Sequence, residues 1–147
     1  MGSNMTEQDI LNLIKNDKWM MDILHTAENL HLSDWIIGAG FVRNKVWDYL
    51  HGYSKSSVDT ADIDLVYFNS EENDQKADEE LSQTLKNKTG MIWEVVNEAY
   101  AHAWNNFPPY ISSEDAISRW PETATAIGVK TENGELKLIA PYEIADL

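Results

Sequence analysis

Apolar residues at Ile10, Leu13, Ile14, Met20, Met21 and Leu24 recur near helical spacing, which predicts helix across residues 7–28. Asn16-Asp17-Lys18 interrupts that stripe and would divide it into two helices. At its start, Thr6 followed three positions later by Asp9 resembles a capping box, with Asp in place of the usual Glu or Gln. Trp35-Ile36-Ile37 is a short apolar run closed by Gly38-Ala39-Gly40, and Val42, Val46 and Leu50 then share one helical face. The pattern is a strand or helix end, a glycine turn and a helix. A polar loop over residues 51–60 leads into Ala61-Asp62-Ile63-Asp64-Leu65-Val66-Tyr67-Phe68, whose β-branched and aromatic content predicts a strand. Ala77, Leu81 and Leu85 give residues 75–86 a narrow apolar stripe, the mark of a mostly solvated helix. Residues 91–97 form the next strand, residues 97–104 a short helix, and Ser112 to Asp115 cap a helix running through Arg119. Two strand-like runs, residues 124–130 and 136–140, flank Asn133-Gly134, the strongest short hairpin signal.

Strand geometry gives the segment around Asp62 its chemical interest. Side chains alternate faces, so Asp62 and Asp64 point one way while Ile63 and Leu65 point the other. Their Cα atoms lie roughly 6.5–7 Å apart, a spacing from which two carboxylates can converge on divalent cations about 3.5–4 Å apart. An Asp-x-Asp alone equally well decorates a solvated strand face. The glycine turn adds a second element, since glycines let backbone N–H groups at a helix N-terminus approach a phosphate closely. Arg43 follows within the first turn of that helix as a charge partner. Glu94, between Trp93 and Val95, leaves its strand on the face opposite theirs.

Composition narrows the partners. The chain has 147 residues, the length of one domain, and its opening Met1-Gly2-Ser3-Asn4-Met5 reads as a cloning remnant ahead of a natural start at Met5. It has no cysteine, which excludes disulfides, thiolate zinc sites and cysteine nucleophiles. His25, His31, His51 and His102 lack zinc-ligand spacing. With 11 basic against 25 acidic residues the net charge is −14, a field that repels polyanions, so a nucleic-acid substrate is disfavoured. No apolar run reaches the roughly 20 residues of a membrane span, and the start carries no signal-peptide pattern; a cytoplasmic protein without a membrane partner is expected.

A glycine turn, an Asp-x-Asp strand and a later strand with a carboxylate between apolar residues, in that order, resemble the DNA polymerase β-like nucleotidyltransferase superfamily. Within it, the chain resembles a family of bacterial predicted nucleotidyltransferases. The matching stretches are Ala39-Gly40-Phe41-Val42-Arg43-Asn44, Val46-Trp47-Asp48, His51-Gly52-Tyr53, the strand from Asp62 to Phe68, Trp93-Glu94-Val95, the run from Asp115 to Ala126, and Ala140-Pro141-Tyr142. The resemblance implies one nucleotidyltransferase-like domain over residues 6–147, in a family whose members continue past this C-terminus. It implies an α/β (α+β) fold: a small mixed β-sheet bearing the carboxylates on one face, with helices packed behind it over Ile36, Ile37, Ile63, Leu65 and Val95. It further implies transfer of a nucleoside monophosphate from an NTP to a hydroxyl of a small-molecule or protein acceptor. Asp62, Asp64 and Glu94 would hold two Mg²⁺ ions, for which Mn²⁺ could substitute. Gly38, Ala39, Gly40, Arg43 and Arg119 would bind the nucleotide, with Lys130 a lesser candidate and Glu98 the alternative third carboxylate. Gly38-Ala39-Gly40 departs from the superfamily's Gly-Gly or Gly-Ser, the gap from Gly40 to Asp62 is longer than usual, and Glu98 and Tyr100 stand where an amide and a basic residue are expected. These departures frame the rival reading, a catalytically degenerate module that binds a nucleotide or a partner without chemistry.

Overall fold

A computed structural model describes residues 6–38, 40–50, 62–71, 75–101, 110–118 and 127–140. The first helical stretch is two helices, α1 (Glu7–Lys15) and α2 (Lys18–Glu28). The division has a local cause: Asp17 takes an extended conformation and its side chain accepts a hydrogen bond from the Met20 amide at 3.1 Å, capping α2. At the start of α1, Thr6 and Asp9 exchange hydrogen bonds in a complete capping box. Asp17 also holds the Lys45 ammonium at 2.9 Å, tying α2 to α3 (Gly40–Leu50).

A five-stranded sheet is built from β1 (Ile36–Gly38), β2 (Ile63–Tyr67), β3 (Trp93–Asn97), β4 (Gly128–Glu132) and β5 (Glu135–Ile139), in the order β3-β2-β1-β4-β5. Only β2 and β3 are parallel, and the helix α4 (Gln75–Thr89) connects them, as a parallel pair requires. The sheet is mixed, as the resemblance implies. Asn133 and Gly134 both have positive φ, the conformation a two-residue hairpin needs between β4 and β5. Two short helices, α5 (Glu98–Ala101) and α6 (Ser113–Ser118), complete the described elements. Among the described residues, no helix is long and apolar enough to cross a membrane.

One face of the sheet carries the main core. Ile37, Ile63, Leu65, Trp93, Val95 and Val129 pack there against Ile10, Ile14, Met20, Leu24, Phe41, Val42 and Leu85. Ile36 is buried but does not join that core. Alternation turns it to the other face, where it packs with Val66 and Ile117 of α6. Helices therefore lie on both faces, α6 covering part of the second one. Helix α4 also runs three residues past the expected end at Lys86, closing at Gly90, whose φ of +77° suits a helix C-terminus.

Gly128 is required by this packing. A Cβ there would lie 2.2 Å from Ile36 Cγ2 and 3.0 Å from the Ile37 carbonyl oxygen. Gly128→Ala is expected to cost about 2–3 kcal/mol by overpacking the β1–β4 contact, measured by denaturant unfolding. A variant as stable as the parent would refute the close approach.

Candidate functional site

Strand pairing alone brings the candidate residues into a row. Glu94 of β3 is the register partner of Asp64 in β2, and Asp64 lies opposite Gly38 in β1. Partners across neighbouring strands point their side chains to the same face, so Asp64 and Glu94 project together and away from the main core. The Glu94 side chain is hydrogen-bonded to Asp64, and the Asp62 charge acts on the same carboxyl. Asp62 and Glu94 are exposed, while Asp64 is half-buried. Gly38 ends β1 beside Asp64, and α3 starts two residues later at Gly40, with Arg43 half-buried one turn on. A Cβ on Gly40 would stand 3.3 Å from Asn44 Nδ2. Gly38 thus stands beside the carboxylates, two residues before a helix N-terminus. Ala39 and Arg119 lie outside the described residues, as does the loop before Asp62.

The electrostatics follow from crowding. The Asp64 carboxyl is pushed up from 3.8 to about 7, first by burial, then by its hydrogen bond with Glu94 and by the Glu94 and Asp62 charges. Two carboxylates cannot share a hydrogen bond without a proton between them, and a cation placed there would relieve the same repulsion. Clustered carboxylate oxygens are the hard donors Mg²⁺ or Mn²⁺ prefers. Among the described residues no three acidic or histidine side chains already form a joint metal cage. The assembled unit is the Asp64–Glu94 pair with the Asp62 charge acting on it. As donors these residues fit a divalent cation.

Glu98 takes a different position. It opens α5, is 6% exposed, and burial raises its carboxyl from 4.5 to about 7. It is absent from the groups that act on Asp64. Of the two candidates for a third acid, Glu94 is the one beside the Asp-x-Asp pair. Lys130 is buried rather than a surface charge: it pairs with Glu132 at 3.0 Å and lies 5.7 Å from the centroid of the Trp35 ring.

These two raised carboxyls set a pH dependence. Asp64 and Glu98 hold protons more tightly when folded, so between about pH 4 and 7 the folded state carries more protons than the unfolded one. Their contribution is fully present below the unfolded values and is lost as pH rises through about 7. Glu132, held at about 2 chiefly by its hydrogen bonds to Lys137 and Lys130, acts in the opposite sense, but only below about 4.5. The metal-free melting temperature is expected to fall by roughly 5 °C or more between about pH 5 and pH 8. A melting temperature that climbs across that window would contradict the crowded carboxyls.

Sequence reasoning treated α4 as a solvated helix and missed what its polar side does. Asp78, Ser82 and Lys86 recur every four residues on one helical face. Ser82 Oγ accepts the Val95 amide at 3.2 Å, and Asp78 accepts the Asn97 amide at 3.1 Å and the Tyr67 hydroxyl. The Asn97 side chain in turn holds both the amide and the carbonyl of Asn69. The bonds to Ser82 and Asp78 occupy amides on the outer edge of β3, whose inner edge pairs with β2 in the register that sets Glu94 beside Asp64. The spacing was visible, but a polar stripe reads the same whether it meets water or a strand edge.

Comparison with known proteins adds a family. The family model described as nucleotidyltransferase matches residues 25–147. A solved NMR structure, described as revealing a CCA-adding enzyme head domain, superposes with a TM-score of 0.85 at 30% sequence identity, covering 96% of this chain and 74% of that one. No curated protein matches.

Proposed function

This chain belongs to the nucleotidyltransferase family, and from that premise we propose that it transfers a nucleoside monophosphate from an NTP to an acceptor hydroxyl. The observation that carries the proposal is the Asp64–Glu94 pair, joined across parallel strands, under the influence of Asp62 and opposite the glycine that opens the turn into α3. The solved relative is itself described as revealing a CCA-adding enzyme head domain.

In this reading the acceptor oxygen forms a bond to the α-phosphorus, the bond from that phosphorus to the bridging oxygen breaks, and pyrophosphate leaves. Asp62, Asp64 and Glu94 would hold Mg²⁺ or Mn²⁺, which supplies charge to neutralise the triphosphate and to acidify the acceptor hydroxyl. In this reading Glu94, the exposed member of the pair, would take the hydroxyl proton. The N-terminus of α3 at Gly40 would present backbone N–H groups to the triphosphate, and Arg43 would supply a cation there. Asp64 must give up its proton before cation and nucleotide load, so NTP affinity should strengthen as pH rises through about 7.

A thermal-shift screen of the four NTPs, each with and without Mg²⁺, tests the reading. A ligand bound only by the folded state raises its melting temperature. A nucleotide shift that requires the metal supports transfer; a shift indifferent to metal favours the binding-module alternative, and no shift at all refutes both. The acceptor in this reading is not a nucleic acid, because the chain carries 25 acidic against 11 basic residues. Binding to tRNA or single-stranded DNA should be undetectable at about 0.15 M salt, and a steep salt-dependent affinity would overturn that exclusion.

A further inference from the structure

A groove of about 530 Å³ runs between the polar side of α4 and the outer edge of β3. Its apolar wall is Ile92, Trp93, Val95 and Val96, and Ile92, at 52% exposed, is one of two large apolar residues left exposed among those described. Glu94 lines the groove as well as pairing with Asp64, so the groove opens onto the carboxylate row. The far side of β3 is therefore where an acceptor can lie with its hydroxyl at Glu94.

Two features of the groove select its occupant. Its strand edge cannot add a further strand, because the Val95 and Asn97 amides are already taken by Ser82 and Asp78. An extended peptide seated by main-chain pairing is thereby excluded. The charges are uneven: Asp78, Glu79 and Glu94 stand against Lys86 alone. They are also ordered along the groove. Helix α4 runs back along β3, with Thr89 bonded to Trp93 at one end and Asp78 bonded to Asn97 at the other. Lys86 therefore lies near the start of β3, and Asp78 and Glu79 lie near its end. From Glu94 to the level of Asn97 is three strand residues, about 10 Å. The Glu79 side chain is exposed and has no hydrogen-bond or ion-pair partner among the described residues.

The geometry points to a small-molecule alcohol that carries a protonated amine, its hydroxyl at Glu94 and its ammonium at Glu79 about 10 Å further along the groove. The acceptor class rests on the nucleotidyl-transfer reading; the binding of the amine to the groove stands on the groove alone. Transfer to such an acceptor gives its phosphodiester with the nucleoside, with pyrophosphate leaving and the hydroxyl proton passing to the carboxylates or water.

The test titrates the nitrogen-15-labelled full chain with aminohexanol, hexanol and hydroxyhexanoate, following backbone amide shifts. Aminohexanol should shift the Ser82, Gln83, Ile92 and Val96 amides in a saturable way, at least about tenfold more tightly than either comparator, which is 1.4 kcal/mol of discrimination. Glu79→Lys, a change at an exposed helix position, should weaken aminohexanol by about tenfold or more. Equal binding of hexanol, shifts spread over the whole acidic surface, an undisturbed Glu79→Lys titration, or no shifts in the groove would each overturn the proposal. A parallel titration with Mg²⁺-ATP reads the amides of Gly38, Ile63 and Asp64. Failure there counts against the nucleotide reading and leaves the groove result standing.

Discussion

Asp64→Asn should lower metal-dependent NTP turnover by about a thousandfold, and Asp62→Asn should do nearly as much, while both variants stay folded. The size follows from the several kcal/mol that charge stabilisation at such a site supplies to the reaction. The fold should survive because Asn preserves shape at position 64 and its amide can donate to Glu94, replacing the shared proton of the parent pair. Removing the half-buried acid also removes part of the pH penalty, so metal-free Asp64→Asn should be no less stable than the parent at about pH 8 and should lose stability less steeply with rising pH. The two readouts separate the explanations. A variant that is inactive and unfolded would say only that Asp64 is structural, and a variant that turns over like the parent would remove it from the site.

Glu94→Gln should cut turnover by about 10²–10⁴-fold while changing NTP affinity by only about threefold. A base acts in the chemical step and adds little to ground-state binding. The same change should move Asp64. Burial is the largest cause of the raised Asp64 carboxyl, and Glu94 adds to it through its hydrogen bond and its charge, so a neutral neighbour should bring the Asp64 pKa down while burial keeps it above the ordinary range. A pH profile of NTP binding that shifts to lower pH in Glu94→Gln would report this contact directly. An unchanged profile with unchanged turnover would place Glu94 outside the site and return attention to Glu98.

What could be read in the chain was whatever a short period encodes. The alternation through Ile63, Asp64 and Leu65 turns Asp64 away from the core, and the glycines before Phe41 mark the start of a helix; both are local. The Asn133-Gly134 turn was equally legible, because both residues need positive φ. Placing Glu94 beside Asp64 required knowing that β2 and β3 are parallel and in which register, and no local pattern states a register. The same limit explains Ile36, whose apolar side chain reads as main core until strand order turns it to the second face. Gly128 looked like an ordinary strand residue, since its close approach to Ile36 arises between segments about 90 residues apart in sequence. The groove beside β3 depends on how α4 lies on an edge strand, which again is tertiary.

The most direct test of nucleotidyl transfer is to incubate the protein with α-phosphate-labelled NTPs, Mg²⁺ and a small-molecule cell extract, and to follow the label and the released pyrophosphate together. The predicted result is label transferred to a new compound in amounts matching the pyrophosphate, lost on omitting metal and lost in Asp64→Asn. Label that remains in the NTP under every condition, although the same protein binds that NTP with Mg²⁺, would contradict transfer and leave a nucleotide-binding module in its place.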